Sequence, residues 1–311
     1  MCSGNLSFYI RGVKPEGGKS MAFLSYLISG LSLGSVYAII ALGYSMVYGI
    51  AKMLNFAHGD IIMIGAYAAF FMLSAGLGTL PAILFSVVIC LVLGVLIERL
   101  AYKPLRQASS LSVLITAIGV SYFLENAAQL AWGSDSKFFP QTAMPEGGIT
   151  IGSLTISWLS IITLVSCIVI MLVLSWFINN TNTGRAMRAC AEDKGAATLM
   201  GINVDRIISI TFAIGSGLAA IAAILLASTY PVIYPTMGSM PGIKAFTAAV
   251  LGGIGSIPGA FVGGLLLGVI ENLSKAYISQ QLSDAIVFGV LIVILLIKPA
   301  GLLGRKTNEK V

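Results

Sequence analysis

The sequence predicts an all-α polytopic membrane protein with about 8–10 transmembrane helices, some of them short or broken and rich in glycine. Hydrophobic residues make up 57% of the 311-residue chain and charged residues only 10%, and the mean hydropathy is +0.96. Soluble domains carry about 25% charged residues, so a surface this poor in charge requires lipid as its solvent. The apolar runs are continuous, whereas the strands of a membrane β-barrel alternate between apolar and polar residues.

The apolar runs give the approximate positions of the spans, because a bilayer core of about 30 Å takes roughly 20 helical residues. They predict spans at 22–50, 53–76, 80–97, 108–124, 158–178, 207–228 and 285–303. A glycine-rich region at 240–273 is long enough for two shorter crossings that meet near GSIPG, residues 255–259. Since proline lacks a backbone donor and clashes with the preceding turn, we expect a helix break at Gly255 and Pro258.

The distribution of lysine and arginine predicts which loops are cytoplasmic. Basic residues are concentrated in the loops at 98–106 and 179–206 and in a tail at 305–311, whereas the loop at 125–157 has a single lysine and is expected on the other side. Residues 1–20 form a polar, basic arm outside the transmembrane domain at 21–304, and Met21 could be an alternative start. Three crossings before Glu98 put Met21 outside, whereas the basic arm favours the inside. An extra break at Gly30–Gly34 would reconcile the two.

Several function classes lack the residues that they need. The four cysteines suggest neither a disulfide framework nor a metal site, and the chain has a single histidine. No phosphate-binding loop or nucleophile elbow is present, so the chain has no catalytic site and is not expected to be an enzyme. The net charge of +6 is modest, and in a membrane protein it reflects the lysine and arginine of the cytoplasmic loops. Membrane lipid is therefore an expected partner, and nucleic acid is not.

The stretch NFAHGD, residues 55–60, places polar side chains inside an apolar segment. Asn55 and His58 share a face of a continuous helix, and a break at Gly59 would let Asp60 cap a helix that begins at Ile61. Polar groups at membrane depth line a bundle interior or a pathway. Three interpretations stay open: a hydrogen-bonded knot that holds a bent helix, contact with a translocated solute, and a proton relay through His58.

Residues 30–67, GLSLGSVYAIIALGYSMVYGIAKMLNFAHGDIIMIGAY, resemble the LivH-type permease subunit of bacterial branched-chain amino acid ABC transporters. The resemblance continues through ERLAYKPLR at 98–106, GRAMRACAEDKGAATLMGINVDR at 184–206 and AFTAAVLGGIGSIPGAFVGGLLLGVIENL at 245–273. It covers nearly everything from Met21 onward. It implies a multi-pass inner-membrane permease that works with a LivM-like permease, two cytoplasmic ABC ATPases and a periplasmic amino-acid-binding protein. ATP and magnesium would then bind to the ATPases, with no cofactor in this chain.

The loop at 179–206 is the expected contact with the ATPases. Importer permeases touch their ATPases through a short helix with the signature E-A-A, three residues, then G, and this loop matches its alanines and its glycine but lacks the glutamate. A helical stretch is predicted at 185–200. The residues assigned to this coupling loop are Arg185, Glu192, Asp193, Gly195, Ala196, Ala197 and Gly201.

These observations favour a permease that imports branched-chain amino acids by alternating access, with energy supplied by other subunits. One alternative is a secondary transporter driven by an ion gradient, which would need carboxylates near the membrane midplane. Asp60 is the best candidate for such a carboxylate, because Glu125, Glu271 and Asp284 are expected at exposed helix ends. The other alternative is an importer of the same family for urea or short amides.

Overall fold

The structure, a computed structural model, describes residues 19–141, 145, 147–151 and 154–304, and it is almost entirely helical. The helices are α1 Lys19–Ala51, α2 His58–Ser74, α3 Thr79–Ile97, α4 Ser110–Trp132, α5 Trp158–Asn180, α6 Asn182–Glu192, α7 Lys194–Leu199, α8 Val204–Thr229, α9 Ser239–Gly252, α10 Ile257–Tyr277 and α11 Ser283–Ile297. A π-helical turn at Glu98–Tyr102 and a 3₁₀ turn at Lys103–Leu105 extend α3. Short strands form two antiparallel pairs, β1 Lys137–Phe138 with β4 Val232–Ile233 and β2 Gly148–Ile151 with β3 Leu154–Ser157.

The predicted fold class is confirmed. Within the described residues, six helices are long and apolar enough to span a bilayer: Met21–Ala51, Thr79–Leu105, Ser110–Trp132, Trp158–Asn180, Val204–Thr229 and Ile257–Tyr277. Two shorter apolar helices, α2 and α11, accompany them. The predicted division of 240–273 is also present, because α9 and α10 are separate helices.

The centre of the bundle is a close contact between α1 and α10. A Cβ atom added at Gly264 would lie 2.3 Å from Cα of Ala38, and one added at Gly268 would lie 2.2 Å from Cα of Gly34. Glycine is therefore required at these positions for the two backbones to touch, which is how helices associate where lipid removes the hydrophobic driving force.

A second contact joins α2 to α3. Ser86 of α3 donates a hydrogen bond of 2.8 Å to the carbonyl of Gly65 in α2. One turn further, the thiol of Cys90 lies 3.5 Å from the carbonyl of Ile61. These bonds occupy polar groups that would otherwise face a buried, apolar environment.

The two ends of the bundle differ in charge. At one end, Arg106 pairs with Asp205 and Lys194 reaches the end of α1. At the other end, β1 pairs with β4 and the ring of Tyr26 contacts that of Tyr277. The excess of lysine and arginine at the first end predicts that this end is cytoplasmic. In that orientation α1 would run inward, and the ends near Ala51 and Tyr26 are called inner and outer accordingly.

Several expectations about element boundaries are wrong. No break occurs at Gly30–Gly34, because α1 is continuous there and both glycines face the backbone of α10. The span predicted at 53–76 is helical only from His58. The helix predicted at 108–124 continues to Trp132, and the loop expected at 98–106 is largely helical. The stretch at 185–200 is two helices, because Asp193 is extended and its side chain caps α7.

Candidate functional site

A non-helical segment, residues 52–57, joins α1 to α2. Helix α1 ends where Lys52 adopts a left-handed backbone, with φ of 57°. The chain then turns back into the bundle, where Asn55 is 3% exposed and its Oδ1 accepts a hydrogen bond of 2.9 Å from the hydroxyl of Tyr102. Asn55 therefore does not share a helical face with His58, as the sequence suggested, but is held by the turn that follows α3.

His58 and Gly59 begin α2 in the interior of the bundle. The imidazole of His58 is 1% exposed and contacts the ring of Tyr44, with centroids 4.6 Å apart. Its Nε2 has no hydrogen-bond partner among the described residues. A Cβ atom at Gly59 would lie 2.6 Å from the carbonyl oxygen of Gly238, so glycine allows the loop before α9 to approach. The helix break falls before His58, because Ala57 is the N-cap, and not at Gly59.

Asp60 does not cap a helix at Ile61 but lies in the first turn of α2, where the positive end of the helix dipole favours a carboxylate. It is 1% exposed and interacts with Ser121. Glu125, also in α4, is 9% exposed and accepts a hydrogen bond from Ser239. The expectation that Glu125 lies at an exposed helix end is wrong, because α4 extends two turns beyond the predicted boundary.

Gly255 and Pro258 form a different break from the one at NFAHGD. Gly253 and Gly255 have φ of 107° and 89°, which favour glycine, and Pro258 lies in the first turn of α10, where its missing donor is not needed. Gly255 packs against Gly49, whereas His58 packs against Gly43, roughly 9 Å away along α1. The structure does not bring the two breaks together.

A buried ion-pair network near the outer end was not predicted. Lys244 pairs with Glu271 at 2.8 Å and with Asp284 at 2.7 Å, and Lys275 pairs with the same oxygen of Glu271 at 2.6 Å. Glu271 is 1% exposed, so its expected exposure at a helix end is wrong, whereas the side chain of Asp284 is 42% exposed. The signal in the sequence was a lysine inside the apolar helix α9, which needs a partner of opposite charge.

The predicted coupling residues lie at the basic end, on α6 and α7 or, for Asp193 and Gly201, in the turns beside α7. Arg185 bonds to Asn182, and Asp193 accepts hydrogen bonds from the backbone of Gly195 and Ala196. Of the predicted residues, Glu192, Asp193, Gly195, Ala196 and Gly201 are exposed and Ala197 is buried. Leu199 and Met200 are 91% and 82% exposed. The sequence reasoning missed both, although apolar side chains at the end of a polar loop were the available signal.

Lys194 connects this pair of helices to the membrane core. Its ammonium donates a hydrogen bond of 2.7 Å to the carbonyl of Ala51, the last residue of α1. Burial, together with the charges of Arg106 and Lys52, lowers the pKa of Lys194 below its usual value. A cation near a helix C-terminus stabilises the carbonyls that have no intrahelical partner.

A second polar network fixes the basic ends of α3 and α8. Glu98 is fully buried, bonds to Arg106 and accepts a hydrogen bond of 2.6 Å from Ser209 in α8. Arg106 and Lys103 both pair with Asp205. The turns after α3, which also carry Tyr102, are thereby joined to the start of α8.

Two cavities lie on opposite sides of the NFAHGD segment. The inner cavity has a volume of about 370 Å³ and is lined by Tyr48, Ala51, Lys52, Met53, Arg106 and Lys194. The outer pocket has a volume of about 240 Å³ and is lined by residues that include Tyr37, Leu226, Tyr230, Met237, Lys244 and Glu271. Along α1, Tyr37 faces the outer pocket and Tyr48 the inner cavity, and Tyr44 contacts His58 between them.

Comparisons with known proteins agree with this architecture. Residues 26–295 match the family described as branched-chain amino acid transport system / permease component. The chain is 47% identical to the high-affinity branched-chain amino acid transport system permease protein BraD of Pseudomonas aeruginosa, with 93% of this chain and 98% of the relative covered. The permease protein LivH of Escherichia coli K12, which carries the same description, is 47% identical with the same coverage.

More distant relatives carry other descriptions. The probable branched-chain amino acid transport permease protein LivH of Methanocaldococcus jannaschii is 28% identical over 87% of this chain and 89% of the relative. The ribose import permease protein RbsC of Escherichia coli K12 is 25% identical over 80% of this chain and 77% of the relative. No solved structure matches the chain. The extent of the family match shows that the chain belongs to the family of permease components of branched-chain amino acid transport systems.

Proposed function

We propose that the chain is a transmembrane permease subunit of an ATP-binding-cassette importer that carries branched-chain amino acids across the bacterial inner membrane. The observation that carries this proposal is the 47% identity, over 93% of the chain, to two permeases described as components of high-affinity branched-chain amino acid transport systems. The mechanism is alternating access, in which a solute site opens first to one side of the membrane and then to the other.

The two cavities support alternating access. The outer pocket and the inner cavity are separated by a layer in which Asn55, His58 and Asp60 are each 1–3% exposed. A solute moving between the cavities must displace this layer. Residues 52–57 are the segment that we expect to move, because they lack the internal hydrogen bonds of a helix. The side-chain bond from Tyr102 to Asn55, which holds this segment to the turn after α3, would have to break or shift when it moves.

The partners that we propose are a second, LivM-like permease, two cytoplasmic ABC ATPases and a periplasmic amino-acid-binding protein. The exposed apolar side chains of Leu199 and Met200 suit a cleft on an ATPase, because a contiguous exposed apolar tip is a feature of interaction sites. Closure of the ATPases would move α7, and the bond from Lys194 to Ala51 would carry that movement to α1. ATP and magnesium bind to the ATPases in this scheme, and this chain catalyses no reaction.

A secondary transporter is the second candidate, because Asp60, Glu125 and Glu271 are all buried carboxylates within the bundle. Buried ionisable groups at membrane depth are characteristic of ion-coupled transport. The family match favours the first candidate.

Reconstitution separates the two candidates. Proteoliposomes that contain both permeases and the ATPases, supplied with the binding protein, should take up leucine only with ATP, whereas the permeases alone should show no saturable flux driven by protons or sodium. Gradient-driven flux without the ATPases would contradict the proposal. Urea and short amides should not compete with leucine, and competition by either would assign the chain to the other branch of the family.

A further inference from the structure

The outer pocket combines an apolar wall with a buried pair of opposite charges. Leu226 and Met237 are 5% and 6% exposed, and they lie in the same cavity as Lys244 and Glu271, which are 7% and 1% exposed. Pockets for drug-sized ligands occupy about 300–1,000 Å³, so the volume of about 240 Å³ suits a smaller molecule, the size of one amino acid.

The hydrogen-bonding groups of the ion pairs are incompletely used. Glu271 Oε1 accepts bonds from both Lys244 and Lys275, and the hydroxyl of Tyr37 interacts with the same carboxylate. Glu271 Oε2 is buried, and no hydrogen bond to this atom is present in the described part of the chain. An ammonium group has three donors, and Lys244 directs two of them to Glu271 and Asp284. The site therefore offers one unused acceptor beside unused cationic donors.

The charges around the pocket balance. Lys244 and Lys275 oppose Glu271 and Asp284, so the network as a whole is neutral although each sign is locally concentrated. A simple anion or a simple cation would leave one side of such a site unpaired, at a high cost in a buried place. A ligand that carries both signs on neighbouring atoms would pair both sides.

We propose that the outer pocket binds a free amino acid, with its α-ammonium group on Glu271 Oε2, its α-carboxylate on Lys244 and Lys275, and its apolar side chain against Leu226 and Met237. Methionine adapts to side chains of different shape, which suits a pocket that accepts leucine, isoleucine and valine. The pocket also adjoins the predicted pathway, because Met237 precedes Gly238, whose backbone contacts Gly59. This inference rests on the proposed function and gives it a solute site within the permease itself.

Direct binding tests the inference. The permeases with their ATPases, in nanodiscs and without the binding protein, should bind tritiated L-leucine at least about tenfold more tightly than leucinol, which lacks the carboxylate, or 4-methylpentanoate, which lacks the ammonium group. Lys244→Met and Glu271→Gln should each weaken leucine binding by at least about tenfold. Glu271→Gln should also remove most of the preference for leucine over 4-methylpentanoate, an effect that a merely structural ion pair would not have.

Glu125→Gln is the matched control. It neutralises another buried carboxylate, which bonds to Ser239 and does not line the pocket, and it should leave leucine affinity within about threefold. A wild-type complex that binds the two analogues as tightly as leucine would overturn the inference, as would an unchanged preference in Glu271→Gln. If that variant does not assemble, the analogue series on the wild type decides. Failure of the wild type to take up leucine with ATP would instead overturn the proposed function.

Discussion

At the scale of single residues, the hydrogen bond between Tyr102 and Asn55 explains why an apolar segment carries a buried amide. The backbone hydrogen bonds of the non-helical stretch before α2 lie at its ends, where Lys52 donates to Tyr48 and Asn55 accepts from His58. A side-chain bond from the turn after α3 therefore helps to fix its position. The knot interpretation of NFAHGD thus has a named partner, and contact of Asn55 with solute stays a prediction.

A double-mutant cycle tests the knot. Tyr102→Phe leaves Asn55 Oδ1 buried without its donor, so we expect it to lower the free energy of unfolding by about 1–3 kcal/mol. In the Asn55→Leu background, Tyr102→Phe should lower the free energy of unfolding much less, because the acceptor of the hydrogen bond is already absent. The measurement is the thermal or denaturant unfolding of the four purified proteins in detergent.

Additive losses in that cycle would contradict a shared bond, since independent sites add within about 0.5 kcal/mol. Leucine uptake by the single variants distinguishes a structural role of Asn55 from contact with the solute. Normal stability of Asn55→Leu with lost uptake would favour the pathway interpretation instead.

Hydropathy could predict where polar residues occur but not whether they are buried. Glu125 and Glu271 were expected at exposed helix ends, and Lys244 lies inside the glycine-rich region predicted to cross the membrane. The structure buries all three, because α4 extends beyond its apolar run and α9 lies beside α10. Their partners, Ser239 and Asp284, are distant in the sequence from the residues that they bond, and single-sequence patterns carry no information on such pairs.

At the scale of elements, the break between α9 and α10 was predictable and the start of α2 was not. Pro258 and its neighbouring glycines are direct backbone signals, and the structure places the break within five residues of them. Before α2 the chain has no proline or glycine between Lys52 and His58, and Lys52 itself adopts the left-handed conformation that ends α1. The tertiary contact of Asn55 determines that break.

Helix α7 makes its contact with the membrane core through Lys194, which leads to a prediction about coupling. Lys194→Met removes the bond to Ala51 without changing the exposed face of α7. We expect ATP-driven leucine uptake to fall at least about tenfold, while the ATPases still co-purify and hydrolyse ATP at nearly the normal rate, because a bond to a charged group is worth about 1.5–3 kcal/mol. Uptake and hydrolysis are measured in the same proteoliposomes.

Lys103→Met is the control for that variant, because Lys103 is a basic residue at the same end of the bundle and its partner Asp205 also pairs with Arg106. Its uptake should stay close to that of the wild type. Equal losses in both variants would indicate a general effect of charge at the basic end and would contradict the specific role of Lys194.

At the scale of the whole molecule, composition predicted the fold class because lipid imposes a simple requirement on it. Each membrane span must form the hydrogen bonds of its backbone N–H and C=O groups internally. The length of an apolar run therefore predicts a helix even when the packing between helices is unknown. The packing itself depends on which glycines face which backbones, and that pairing cannot be read from one sequence. Because that pairing was unknown, Gly30 and Gly34 were interpreted as a helix break, although both pack against the backbone of α10.

The charge asymmetry of the two ends predicts sidedness. In a variant with Cys2 replaced by serine, a cysteine at Lys137→Cys should react with a membrane-impermeant maleimide on intact spheroplasts, because Lys137 lies in β1 at the outer end. A cysteine at Arg188→Cys should react only after permeabilisation, because Arg188 lies on α6 at the basic end. The other cysteines are buried and should contribute little background. The reverse pattern would invert the proposed orientation.

The contact between α1 and α10 has a consequence for how the protein is made. Gly34 emerges from the ribosome about 230 residues before its neighbour Gly268, which corresponds to roughly 10 to 50 s of synthesis at 5–20 residues per second. Throughout that interval the glycine face of α1 cannot pack against α10 and is accessible to the insertion machinery. A nascent chain arrested before residue 257 should therefore be cleared by quality-control proteases faster than one arrested after residue 277.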